Sequence, residues 1–232
     1  MSLQSLRALC GATILATDGE IGKVHDFFID DQDWVVRYLV VRTGAWLTGR
    51  QVLIKPPMVL PGDWTPNRIP VQLTKAEILA CPDADFDRPV SRQQELAIAD
   101  QYGWTYYWTA EPILLPGPPS SVGDLVSEGE SGDPHLRSLR EVRQYRIHAV
   151  DGEIGHVCDL LAGTRDWKIR NFVVDTRNWI PGRKVLVDPN WTTSVSWSRC
   201  EVNVRVERES IRRCPAFDAS AIGRDELVET GS

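Results

Sequence analysis

The stretch DGEIGKVHDFFIDDQDWVVRYLVVRTGAWLTGRQVL, Asp18 to Leu53, is written a second time as DGEIGHVCDLLAGTRDWKIRNFVVDTRNWIPGRKVL, Asp151 to Leu186. At a constant offset of 133, residues 17–56 and 150–189 align without a gap and share 19 of 40 positions. The register continues outward, with Val71 and Leu73 on Val204 and Val206, Ile78 on Ile211, and Cys81-Pro82 on Cys214-Pro215. Copies of about 80 residues are whole domains, longer than solenoid repeats of roughly 20 to 50. The 232 residues divide into a first copy over 1–85, a helix and aromatic segment over 86–111, a linker over 112–135, a second copy over 136–218 and a tail over 219–232.

Within each copy the elements read as strands. Asp18-Gly19 and Asp151-Gly152 each separate two apolar runs, the strongest short-range hairpin signal, and a two-residue loop there pairs Val150 with Glu153. WVVRYLVVR and WKIRNFVVD are rich in β-branched and aromatic residues, QVLI and KVLV follow a turn, and IPVQL and VNVRV alternate. Thr74-Lys75-Ala76-Glu77 is a capping box opening a short helix that Cys81-Pro82 closes. Five or six short antiparallel strands per copy predict two tandem small β-barrels, closed or half-closed, in a mainly β chain with short helices. Apolar residues on both faces of strands three and four predict that the barrels pack on each other about an approximate two-fold axis.

The order DGEIGxVxD, DWxxRxxVVxT and GRxVLxxP, followed by alternating apolar residues and a short helix, resembles the PRC-barrel family. That family takes in the cytoplasmic domain of the photosynthetic reaction centre H subunit and the C-terminal domain of the ribosome-maturation protein RimM. The resemblance covers both copies. It implies two tandem PRC-like barrels, and no catalytic motif or cofactor. It allows a ribosome- or RNA-associated role like that of RimM, or a peripheral role on a photosynthetic or respiratory membrane complex like that of the H subunit. An N-terminal membrane helix like that of the H subunit is not expected, and a second PRC-like copy stands where RimM carries a different barrel.

The region between the copies reads as a helix begun by Ser91 and stopped at Gly103, then an aromatic cluster of Trp104, Tyr106, Tyr107 and Trp108. After it, residues 112–135 are rich in Pro, Gly and Ser and read as a flexible linker. Formal charge is −1 over residues 1–84, −7 over 85–135, +4 over 136–218 and −2 over 219–232. The net charge of −6 disfavours nucleic acid as a general partner. The basic second copy carries Arg137, Arg140, Arg143 and Arg146, which could hold phosphates or be satisfied by acids of the same chain. The apolar run Ala8–Ala16 is half the length of a membrane span, and five scattered cysteines suit a reducing cytoplasm.

No Gly-rich phosphate loop, GxSxG elbow, HExxH or Cys/His pairing appears, so no catalytic, cofactor or metal residue is assigned and the chain is not expected to be an enzyme. Asp26 and Asp159, with Arg37 and Arg170, lie inside strands of both copies, where charge needs a partner, and a repeated ion pair or turn cap explains them. His148 and His156 flank a hairpin out of register, and the acidic Asp30–Asp33 run reads as a solvated turn. Trp34, Trp46 and Trp64 recur as Trp167, Trp179 and Trp197 and read chiefly as core and loop anchors. The expected contact surface for a protein partner comprises Trp46 and Trp179 in loops, the cluster Trp104, Tyr106, Tyr107 and Trp108, and Arg140, Arg143 and Arg146.

Overall fold

The computed structural model describes residues 2–44, 49–60, 65, 67–80, 135–176, 183–196 and 198–222. The first copy runs β1 (Leu3–Ser5), α1 (Leu6–Leu9), β2 (Thr13–Ala16), β3 (Gly19–Asp30), β4 (Val35–Thr43), β5 (Gln51–Ile54), β6 (Arg68–Pro70) and α2 (Lys75–Leu79). The second copy runs β7 (Leu136–Ser138), α3 (Leu139–Val142), β8 (Arg146–Ala149), β9 (Gly152–Gly163), β10 (Ile169–Asp175), β11 (Lys184–Val187), β12 (Thr192–Ser196), β13 (Glu201–Val204) and α4 (Arg208–Arg212). The chain is mainly β, as its periodicity predicts.

Neither sheet closes into a barrel. One has the order β5-β4-β3-β2-β6 and the other β11-β10-β9-β8-β13-β12. Nor are they wholly antiparallel, because β2 runs parallel to β6 and β8 parallel to β13. Closure is one way to take an apolar sheet face out of water, and covering one open sheet with another is a second. Here the two open sheets are joined by strand exchange and bury apolar residues together. Buried residues from both copies form one contiguous cluster, with Ile14, Phe27, Leu39, Ile54 and Ile69 of the first joined to Ile147, Leu160, Phe172, Val187 and Val202 of the second.

The copies exchange their N-terminal segments. β1 leaves the first copy and pairs antiparallel with β9, matching Leu3 to Gly163 and Ser5 to Leu161. β7 makes the equivalent pairing with β3, matching Leu136 to Asp30 and Ser138 to Phe28. At the start of β4 and β10, Val35 bridges to Lys168, its own counterpart at the offset of 133. Two equivalent positions paired with each other place an approximate two-fold axis at that bridge.

Trp34 and Trp167 seal the junction. Both have positive φ, 51° and 56°, uncommon for a bulky residue. In that conformation the carbonyl of Trp34 accepts from the N–H of Ile169 at 2.7 Å, and the carbonyl of Trp167 accepts from Val36 at 3.0 Å. Each ring is buried against the opposite copy: Trp34 meets Phe172 edge-on at 4.5 Å between centroids, and Trp167 lies 6.2 Å from Phe27. Edge-to-face aromatic pairs contribute about 0.5–1.5 kcal/mol beyond their buried area, so the junction is core and not a surface contact.

The hairpin signal is placed correctly, but its register is shifted by one residue. Ala16 pairs with Gly19 and Ala149 with Gly152, so the loop is Thr17-Asp18 in one copy and Val150-Asp151 in the other. Only the glycines have positive φ, 128° and 137°. The aspartates instead cap the distant helices: Asp18 Oδ1 accepts from the N–H of Lys75 at 2.9 Å, and Asp151 Oδ1 from that of Arg208 at 2.8 Å. The Thr74–Glu77 capping box forms, with Thr74 Oγ1 accepting from the Glu77 N–H and Glu77 accepting from the Thr74 N–H at 2.7 Å.

Candidate functional site

The exchange of β1 and β7 decides what the repeated aspartates do. Asp159 accepts from the hydroxyl of Ser5, from the Arg7 N–H at 3.0 Å and from the Leu160 N–H at 2.7 Å. Asp26 accepts from Ser138 Oγ at 3.0 Å, the Arg140 N–H at 3.3 Å and the Phe27 N–H at 2.8 Å. Ser5 and Ser138 are the N-caps of α1 and α3. Each aspartate thus secures the capped helix of the opposite copy, a structural turn cap repeated with the fold. The arginines pair elsewhere, Arg37 with Asp30 at 2.6 Å and Asp33 at 3.0 Å, and Arg170 with Asp166.

Burial, outweighing the three hydrogen bonds to its oxygens, raises the Asp159 carboxyl above the ordinary 3.8. The folded state therefore binds a proton on this group more readily than the unfolded chain does. Stability from this one carboxyl rises as pH falls through the window upward of 3.8, opposite in sign to ordinary acid denaturation. Asp159→Asn removes that titration. In urea unfolding from pH 7 down to pH 4, the stability of wild type relative to Asp159→Asn is expected to increase as pH falls, and a constant or shrinking difference contradicts the assignment.

The basic run of the second copy is committed within the chain. Arg137 Nε donates to Asp31 at 3.0 Å, the Arg140 guanidinium to His25 Nε2 at 3.1 Å, Arg143 Nε to the carbonyl of Cys158 at 3.0 Å, and Arg146 to Glu201 at 2.9 Å. As the acceptor in that contact His25 is neutral, and its pKa is lowered by burial and then by Arg140 and Arg42. Of the expected contact surface, Arg140 and Arg143 span the copy junction region around α3, and Arg146 is half-exposed on β8. Trp46, Trp179, Trp104, Tyr106, Tyr107 and Trp108 lie outside the described residues, as do Trp64 and Trp197.

Burial, with Asp26 next, pushes the Cys10 thiol up to about 11, and burial raises Cys158 and Cys214 as well. These thiols are protonated at neutral pH and poor nucleophiles. His148 pairs with Glu153 and His156 with Arg146, a register that differs from the sequence reading by one residue and still keeps the two rings from facing each other. Among the described residues no group of three or more His, Cys, Asp or Glu is placed to hold a metal ion.

The acidic Asp30–Asp33 run is not the solvated turn its composition suggests. Asp30 and Asp31 are buried, while Gln32 and Asp33 are exposed. Asp31 accepts from Arg137 and also meets His135 Nδ1 at 2.9 Å, and His135 Nε2 in turn contacts the Gln32 amide at 3.0 Å. This network, brought by β7 from the other copy, forms one wall of a cleft of about 650 Å³. The opposite wall is Pro189, Asn190 and the edge strand β12, and Lys168 and Trp34 also line it.

The cleft differs from the equivalent region at the other end of the axis. At the offset of 133 its residues Asp31, Gln32, His135, Arg137, Asn190 and Thr192 correspond to Thr164, Arg165, Ser2, Gln4, Pro57 and Val59. One end of the axis carries an ion-paired network and hydroxyls. The equivalent positions at the other end keep polar residues in Ser2, Gln4, Thr164 and Arg165 but have no acid in place of Asp31, and Pro57, Val59 and the exposed Leu60 replace Asn190, Thr192 and Thr193. The fold needs neither set, since Ser5, Gly22, Asp26 and Trp34 recur as Ser138, Gly155, Asp159 and Trp167. The signal available in sequence was divergence between copies, whereas repetition marked the fold.

A family profile for the PRC-barrel domain matches residues 2–75, which hold β1 to β6, α1 and the first residue of α2. The match stops there, and the second copy's likeness to the first is carried by the repeat and by element order. No curated protein matches the chain. Among the described residues no helix is long and apolar enough to cross a membrane.

Proposed function

We propose that the chain is a non-catalytic binding module built from two PRC-barrel-like copies, with the polar cleft at their junction as its recognition site for a protein partner in the cytoplasm. The observation that carries this reading is the divergence of the two ends of the axis. Residues that make the fold repeat, while the ion-paired Asp31–Arg137–His135 network stands at one end, where the equivalent positions at the other carry no acid. Interfaces combine such fixed polar groups with a packed apolar base, here Trp34 and Val195. Internal pairing of Arg137, Arg140, Arg143 and Arg146 removes the main support for phosphate binding.

Affinity purification from the native cell, comparing wild type with Asn190→Arg/Thr193→Arg, tests it. Both residues are exposed cleft positions, so the fold is expected to tolerate the change. Proteins recovered with wild type should fall at least tenfold with the variant. Recovery of RNA in their place supports a ribosome-associated role, and a membrane complex supports the peripheral one. Equal recovery by both baits removes the cleft from the function.

A further inference from the structure

One wall of the cleft is a sheet edge: β12 is the terminal strand of its sheet and, among the described strands, pairs with β13 alone. It pairs with β13 through Ser194 to Asn203, Val195 to Val202 and Ser196 to Glu201. On its outer side no main-chain group of Thr192–Ser196 bonds to another described residue. An antiparallel strand turns alternate N–H and C=O groups away from its neighbour, so this edge presents a row of unused donors and acceptors. The side-chain hydroxyl of Thr192, which is shielded from solvent, also has no hydrogen-bond partner.

Natural sheets blunt such edges with proline, lysine, inward charge or a covering segment. β12 reads TTSVS and has none of these residues. The equivalent stretch of the first copy, VLPGD from Val59 to Asp63, carries a proline at the position of Ser194, and Val59 bridges to Val71. The far edge strand of the second sheet, β11, is covered, because the Leu186 N–H donates to Pro215 and the Phe217 N–H to Lys184. The β11 edge is thus occupied, whereas the β12 edge lines a cleft.

We infer that the cleft receives an extended peptide segment of the partner, which adds to β12 as a further strand. This deepens the proposed binding role and rests on it. Main-chain hydrogen bonds to the β12 edge supply affinity, and alternate side chains of the peptide face the wall formed by Asp33, His135 and Lys168. At about 3.3 Å per residue, β12 offers pairing for four or five residues. The cleft volume lies within the usual range of roughly 300–1,000 Å³ for a built site. The mixed charge of the facing wall fits a peptide with polar or charged side chains on one face better than a uniformly acidic or basic one.

The probe is a random dodecapeptide phage library panned against the full chain, with selected peptides resynthesised. A strand-adding peptide loses at least tenfold in affinity when its amides are N-methylated at every second position and little at those between. Hydrogen exchange should show alternate β12 amides newly protected in the complex. Ser194→Pro and Val195→Pro, made separately, should differ: one removes an outward N–H and abolishes binding in a folded protein, and the other removes a bond to β13. Selected peptides lacking the period-two pattern, peptides that protect another region, or no selected peptide overturn the inference. So does concentration-dependent self-association that protects β12 without peptide, since the occupant is then a second copy. A native partner that is lost with the cleft variant but shows no strand signature leaves the binding role standing and removes only this inference.

Discussion

Expressed apart, residues 1–111 and 112–232 should each fail to yield a folded monomer, and mixing them should yield a 1:1 complex with the spectrum of the intact chain. The exchanged segments dictate this. Without the second copy, β1 has no β9 to pair with, Asp26 has no Ser138 or Arg140 N–H to accept from, and Trp34 loses Phe172. Exposing the four rings Trp34, Phe27, Trp167 and Phe172 forfeits about 1.5–3 kcal/mol each, roughly 6–12 kcal/mol together, comparable to the whole stability of a typical domain. Size-exclusion chromatography with light scattering, and tryptophan fluorescence on mixing, read the outcome. Two well-behaved monomers that ignore each other would refute a shared core.

Gly22→Ala and Gly155→Ala should each lower stability by about 3 kcal/mol or more, for a reason unrelated to φ. A Cβ at Gly22 would sit 2.1 Å from the carbonyl oxygen of Arg42, and one at Gly155 would sit 1.9 Å from that of Asp175. Both obstacles are backbone in the adjacent strand, so no side chain can swing aside. Relief requires parting β3 from β4 or β9 from β10, the most extensive pairings in the two sheets. For a protein of this size the change corresponds to a Tm lower by about 6–12 °C. Val150→Ala, at a residue 66% exposed, is the control and should move it by less than about 1 °C. A Gly155→Ala protein melting with wild type would show that the strands can separate freely there.

The strands, the capping box and the site of the hairpin turns were legible because each depends on residues close in sequence. The Asp-Gly turns placed the start of β3 and β9, and Thr74 with Glu77 announced α2. The exchange of β1 and β7 was not legible, and the repeat itself is the cause. Ser5 and Ser138 are identical, as are Asp26 and Asp159, so the same letters satisfy the cap whether a segment docks on its own copy or on the other. The parallel neighbours β6 and β13 were misread for a similar reason: alternation marks a strand without giving its direction. The cleft was missed because attention to shared residues selects for the fold. Its network joins Asp31 to His135 and Arg137, more than a hundred positions apart, and appears only once β7 lies on β3.

The bridge between Val35 and Lys168 has a consequence for what a covalent link between copies permits. In a dimer of identical chains a residue on the two-fold axis must face itself, so the choice is valine against valine or lysine against lysine. The second places like charges directly opposite, which is destabilising. Joining the copies lifts that restriction at the one place where symmetry enforces it most strictly. A single lysine can then stand at the mouth of the cleft with an aliphatic neighbour across the axis. Handedness of charge at the centre of the molecule is therefore a property that only the joined chain can have, and it gives the two ends of an otherwise symmetric body different identities.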